Sequence, residues 1–125
     1  MANIEPTDTA GSVLNMSAIS AIQAIQRPGG PDLLSRVVGL YRQTAPKLLA
    51  DLDGALERNE FEAARSAAHS LKSSSRNLGA ETLAEHCEYI ERAIRMDAFA
   101  ELPKTVSDLS GELDRVFGAL SRLTD

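Results

Sequence analysis

Residues 61–80 read FEAARSAAHSLKSSSRNLGA, and an apolar or small side chain returns in this stretch every three or four positions. Such spacing gathers these side chains on one face of an α-helix, which predicts a helix that packs against a core. Gly79 follows as a natural C-terminal cap, and the pair Asn59-Glu60 separates the helix from what precedes it. The predicted buried face consists of Phe61, Ala64, Ala68, Leu71, Ser75 and Leu78.

The flanking sequence continues this helical periodicity in both directions. Residues 34–56 predict one long helix, in which Pro46 should kink the helix or split it in two. Residues 83–94 and 102–123 predict two more helices. We therefore expect an all-α protein, an antiparallel four-helix bundle with an additional short N-terminal helix. The apolar positions of that short helix are Met16, Ile19, Ile22 and Ile25.

Length and composition favour one domain with a single core. The chain has 125 residues, of which 43% are hydrophobic. We expect a disordered lead at residues 1–12 and a helical domain at residues 13–125. A net charge of −5 argues against nucleic acid or a membrane surface as the main partner. The single cysteine, Cys87, and the lack of a leader or membrane-spanning run favour a cytoplasmic location.

One histidine of the central helix, His69, is predicted to point away from the core. At about 100° per residue it lies about 140° from the centre of the apolar face. Arg65, Lys72 and Arg76 lie three or four positions apart along the same side of the helix. Because residues 63–80 contain no acidic side chain, we expect His69 to lie in a basic, acid-free stripe.

Such a histidine suits transient phosphorylation. Neighbouring cations favour the neutral, nucleophilic imidazole, and they can balance the charge of phosphoryl oxygens, a supporting role for Arg65 and Arg76. The small side chains of Ser66 and Ser70 leave room for the active site of another protein. The alternative interpretation is a solvated helix face that carries an incidental histidine.

The stretch AHSLKSSSRNLGA, from Ala68 to Ala80, resembles the signature of histidine phosphotransfer (Hpt) domains. That signature has a His-x-Leu-Lys core, small residues and a Leu-Gly-Ala turn, and the resemblance covers about residues 32–96. It implies that His69 accepts a phosphoryl group from a receiver-domain aspartate and passes it to another one in a multistep phosphorelay. It also implies a monomeric phosphocarrier that has neither catalytic activity nor a cofactor of its own. The implied partners are response-regulator receiver domains, which supply magnesium, and a hybrid sensor histidine kinase.

The resemblance also suggests roles for individual side chains. Lys72 matches the family's lysine that helps to hold the phosphoryl group. Ser73 stands where the family usually has glycine. Glu91 falls where several members carry a glutamine that hydrogen-bonds the imidazole. Either Glu91 reaches the ring of His69, or it forms a salt bridge with Arg95 four residues later.

Other classes of site find little support. A metal site would depend on His69, His86 and Cys87, which are too few ligands without carboxylates. The Glu-x-x-His pattern of di-iron bundles is missing, because Ser66 and Leu83 occupy the glutamate positions. No glycine-rich phosphate loop is present. The remaining alternative is a helical adaptor that binds signalling partners without carrying phosphate.

Overall fold

The computed structural model describes residues 13–30 and 32–124, and the predicted lead at residues 1–12 lies outside these ranges. Within them the chain forms five α-helices and no strand. The helices are α1 (Met16–Ala24), α2 (Leu33–Glu57), α3 (Phe61–Asn77), α4 (Glu81–Arg95) and α5 (Leu102–Thr124). None of these helices has the length and apolar character needed to cross a bilayer.

Helices α2 to α5 form a closed four-helix bundle. Helix α2 packs on α3, α3 on α4, and α4 on α5, while α5 returns to contact α2. Short turns at residues 58–60 and 78–80 reverse the chain, so α2, α3 and α4 run antiparallel. Helix α1 packs against α2 as an additional element. The predicted all-α bundle with a short N-terminal helix is confirmed.

The core follows the predicted stripes of α2 to α5, and the helical spacing near the N-terminus corresponds to α1, which buries one narrow face. In α1 only Ile19 is fully buried, and Met16 and Ile25 are exposed. A short helix on the outside of a closed bundle can bury only one narrow face, and Ile22 lies at the edge of that face, partly buried against the core. Among the fully buried large side chains are Leu52, Leu71, Leu78, Leu83, Ile90, Leu109 and Leu120.

Helix α2 continues through Pro46 as one α-helix, so the predicted split does not occur. Pro46 is exposed, whereas Ala45 and Leu52 are completely buried. A proline removes one backbone hydrogen bond, but packing on both sides of it holds the two halves together.

The turn between α3 and α4 also holds the start of α1. The backbone N–H of Asn15 donates to the carbonyl of Gly79 at 2.7 Å, and its side-chain amide donates to Glu81 Oε2 at 2.7 Å. Gly79 has a φ of 78°, and a Cβ at this position would lie 2.5 Å from the Asn15 carbonyl oxygen. The turn that joins the two site-bearing helices therefore requires glycine.

Candidate functional site

His69 lies in the middle of α3 and faces solvent, as its spacing predicted. Its side chain is 63% exposed, although the preceding residue, Ala68, is completely buried. Ser66, Ser70 and Ser73 surround it on the helix surface and are exposed as well. The ring is therefore sterically open to an approaching protein, and the hydroxymethyl group of Ser73 lies one helical turn after it.

Glu91 of α4 reaches the imidazole of His69. Its Oε1 lies 3.1 Å from Nδ1 of the ring, and its side chain is only 4% exposed. The alternative salt bridge between Glu91 and Arg95 is not formed among the described residues. Glu91 lies four residues after buried Cys87 and three before buried Ile94, so it shares their inward face. That spacing could have identified Glu91 as a buried residue from the sequence.

The contact with Glu91 assigns a tautomer to the neutral ring of His69. An ionised carboxylate only accepts hydrogen bonds, so Nδ1 must carry the proton and donate it to Glu91. The lone pair of a neutral imidazole is then on Nε2. This nitrogen makes no hydrogen bond within residues 13–30 and 32–124. One nitrogen is held by the protein, and the other is available for chemistry.

Lys72 points toward α4 and is not the outward cation that the stripe predicted. Its Nζ lies 2.7 Å from Glu91 Oε2 and 2.8 Å from Glu88 Oε1, and its side chain is 12% exposed. The hydrogen bond to Glu88 and the close contact with Glu91 raise the pKa of the Lys72 ammonium above its ordinary value. The same contact with Lys72 lowers the pKa of Glu88. Lys72 therefore stays charged beside the histidine.

The expected acid-free surroundings of His69 are thus wrong, because the neighbouring helix supplies two carboxylates. Sequence spacing along α3 alone could not show that Glu88 and Glu91 of α4 face the stripe. The charged group that touches the imidazole is the carboxylate of Glu91, one of the two alternatives offered for that side chain, whereas the stripe on α3 alone predicted cations.

The two arginines of the stripe differ in their partners. Arg65 forms an ion pair with Glu62 Oε1 at 2.8 Å on α3, and this contact raises the pKa of the Arg65 guanidinium. Arg76 is exposed and makes no ion pair within the described part of the chain. A free cation thus remains on the side of α3 that carries His69.

The remaining soft ligands do not join the site. Cys87 is completely buried in the core, and burial raises the pKa of its thiol to about 12. His86, its neighbour on α4, is half-buried. Among residues 13–30 and 32–124, no three His, Cys, Asp or Glu side chains are grouped so that they could hold a metal ion.

Comparisons with known proteins identify the family. The family model of the Hpt domain matches residues 36–119. Histidine-containing phosphotransfer protein 4 of Arabidopsis thaliana is 28% identical over 107 residues, which cover 78% of this chain and 84% of that protein. The crystal structure of histidine-containing phosphotransfer protein B (HptB) from Pseudomonas aeruginosa PAO1 matches with a TM-score of 0.75 at 25% identity. That match covers 88% of this chain and 92% of the other.

The family match begins in the first turn of α2, ends within the last two turns of α5, and includes both helices of the site. It therefore contains the open histidine and the charged side chains beside it. Covering more than half of the 125 residues, this match shows that the chain belongs to the Hpt domain family and serves histidine phosphotransfer in phosphorelays.

Proposed function

We propose that His69 carries the phosphoryl group, accepting it from the aspartate of one receiver domain and passing it to the aspartate of another. One observation carries this proposal above all. The imidazole is 63% exposed, while its Nδ1 lies 3.1 Å from the buried carboxylate of Glu91. An exposed ring held by one nitrogen is suited to reaction at the other.

In the proposed acceptance step, the Nε2 lone pair attacks the phosphorus of the aspartyl phosphate. A bond between nitrogen and phosphorus forms, and the bond between phosphorus and the aspartate oxygen breaks. Its electron pair leaves with the aspartate as a carboxylate. The proton on Nδ1 stays in contact with Glu91 Oε1 throughout. Delivery to the second receiver is the reverse reaction with a different aspartate.

Other side chains of the site have supporting roles in this proposal. Glu91 orients the ring and keeps the proton on Nδ1, because its buried carboxylate accepts from that nitrogen. Lys72 supplies a positive charge that balances the phosphoryl oxygens. Arg65 and Arg76 add positive charge on the same side of α3. The exposed Ser73 borders the ring on the side where a receiver would approach.

In this proposal, the partner protein supplies the catalytic machinery. Proteins of this family are carriers, and a receiver domain supplies the aspartate, the magnesium ion and most of the transition-state stabilisation. We propose accordingly that the chain has no catalytic activity or cofactor of its own and that it works as a monomer in the cytoplasm. Its partners in this proposal are receiver domains, together with a hybrid sensor histidine kinase.

Transfer from a receiver domain that has been phosphorylated with acetyl phosphate tests this function. We expect an acid-labile label on the wild type and on His86→Gln, which removes the half-buried histidine of α4. His69→Gln should take no label. Radiolabelled ATP alone should label none of the three proteins. Label on His69→Gln would contradict the proposal, and an unlabelled wild type would favour a phosphate-free adaptor.

A further inference from the structure

The ammonium of Lys72 has two carboxylate partners with different surroundings. Glu91, at 2.7 Å, is 4% exposed and also contacts His69. Glu88, at 2.8 Å, is 33% exposed and lies at the edge of the site. Water can solvate Glu88 if Lys72 moves away, but it has little access to Glu91. The two contacts therefore differ in how easily they can be broken.

Glu88 also has a second cation within reach. The Nη1 of Arg92, one turn further along α4, lies 3.9 Å from Glu88 Oε2. Arg92 is exposed, and within the described residues Glu88 is its ion-pair partner. Among the described residues, only His69 and Lys72 lie within ion-pair distance of Glu91, and no arginine does.

Phosphorylation of His69 changes the competition for Lys72. A phosphoryl group carries roughly −1.5 to −2 charges near neutral pH and offers three acceptor oxygens. Releasing Glu91 would leave a buried carboxylate with less compensation, which is costly. Releasing Glu88 costs little, because water and Arg92 take over. Lys72 is therefore expected to keep Glu91 and exchange Glu88 for a phosphoryl oxygen.

Building on the proposed phosphorylation of His69, we propose that Glu88 is a positioning residue that determines where the Lys72 ammonium binds. In the unphosphorylated chain Glu88 holds the ammonium next to the imidazole. After phosphorylation it releases the ammonium to the phosphoryl group and pairs with Arg92. Lys72 thus exchanges one counter-ion for another: it is paired with Glu88 before phosphorylation and with a phosphoryl oxygen afterwards.

The lifetime of the phosphorylated histidine tests this exchange without any receiver. Wild type and variants are phosphorylated with phosphoramidate, and the loss of phosphohistidine at neutral pH is followed by ³¹P NMR. In Glu88→Gln, Lys72 has one competitor less, so the phosphohistidine should last about two to five times longer. Arg92→Gln should shorten the lifetime, because Glu88 then loses its replacement partner. Glu85→Gln removes an exposed carboxylate of α4 that forms no ion pair with the described residues, and this variant should match the wild type.

A Lys72→Gln background separates the exchange from a general effect of charge. If Glu88 acts through Lys72, Glu88→Gln should leave the lifetime unchanged in that background. The same lengthening with and without Lys72 would overturn the proposal, and so would equal lifetimes of wild type and Glu88→Gln. Failure of His69 itself to take the label would instead refute the proposed phosphorylation site, so the two failures are distinguishable.

Discussion

The two nitrogens of His69 lie in different surroundings, and this difference underlies the proposed chemistry. Nδ1 faces the buried carboxylate of Glu91 at 3.1 Å, while the ring as a whole is 63% exposed. Rotation of the imidazole would break the contact with Glu91. A carboxylate on a packed helix therefore orients a side chain that otherwise has little to restrict it.

Two substitutions of Glu91 should distinguish its role as a hydrogen-bond acceptor from the effect of its negative charge on transfer. Glu91→Gln keeps an oxygen that can accept from Nδ1, so we expect the initial rate of transfer from a phosphorylated receiver to stay within about tenfold of the wild type. Glu91→Ala removes the acceptor and should lower the rate by about tenfold beyond Glu91→Gln, as expected for a hydrogen bond to a charged group.

Thermal unfolding by circular dichroism provides the control for both variants, because the rates are comparable only between folded proteins. Equal losses in Glu91→Gln and Glu91→Ala, with both proteins folded, would show that the charge matters and that the orientation of the ring does not.

At the scale of the helix, the site depends on how α3 is set against α4. His69 and Lys72 come from α3, whereas Glu88 and Glu91 come from α4. The turn at Gly79 joins the two helices, and its carbonyl accepts a hydrogen bond from the backbone N–H of Asn15 at the start of α1. Any change in this turn should therefore disturb both α1 and the site.

Gly79→Ala should destabilise the protein. Position 79 has a positive φ, and the added Cβ would lie 2.5 Å from the Asn15 carbonyl oxygen. We expect the free energy of unfolding in urea to fall by about 1–3 kcal/mol. Gly39→Ala is the matched control, because Gly39 lies inside α2 with no atom within 4 Å of the added Cβ. It should leave stability unchanged or raise it by up to about 1 kcal/mol. Equal effects of the two substitutions would contradict this role of the turn.

The sequence predicts the helices well because burial on one face leaves a period of three to four residues. That period located the buried positions of α3, from Ala64 to Leu78, and the exposure of His69. It could not predict that Met16 and Ile25 are exposed, because periodicity does not show how much of a helix face is covered by another helix. It also predicted that Pro46 kinks or splits α2, and the split does not occur, because packing on both sides of a proline is not visible in a local pattern.

The ion pairs of the site were harder to predict than the exposed position of His69. The Lys72 pairing depends on the rotation of α4 against α3, and residue spacing within one helix contains no such information. Glu91 is a partial exception. Its spacing from Cys87 and Ile94 puts it on the buried face of α4, and the resemblance had offered contact with His69 as one of two alternatives.

The bundle as a whole keeps the thiol of Cys87 and the hydroxyl pair of Tyr41 and Ser75 away from solvent. Cys87 is completely buried, and so is the hydrogen bond of 2.7 Å between the hydroxyl groups of Tyr41 and Ser75. Burial raises the pKa of the Cys87 thiol to about 12. Folding therefore favours the protonated thiol over the thiolate.

This burial predicts a loss of stability in alkali. Below the pKa of the unfolded thiol, about 8.5, both states hold the proton. As the pH rises toward the folded pKa of about 12, only the unfolded state loses it, so unfolding becomes more favourable. In urea unfolding between pH 9 and 11, Cys87→Ala should show a shallower loss than the wild type, by up to about 1.4 kcal/mol per pH unit. Tyr41 is buried as well, and burial raises its pKa to about 12, but it is present in both proteins and contributes to both curves. Parallel stability curves would contradict this prediction.

In the proposed relay, Nε2 of His69 carries the phosphoryl group. The most direct measurement is ¹⁵N–³¹P NMR of the ¹⁵N-histidine-labelled chain after transfer from a receiver domain phosphorylated with acetyl phosphate. We predict one phosphorus atom bonded to Nε2 of His69, with His86 unmodified. Phosphorus on Nδ1 of His69, on His86 or on no nitrogen at all would contradict the claim.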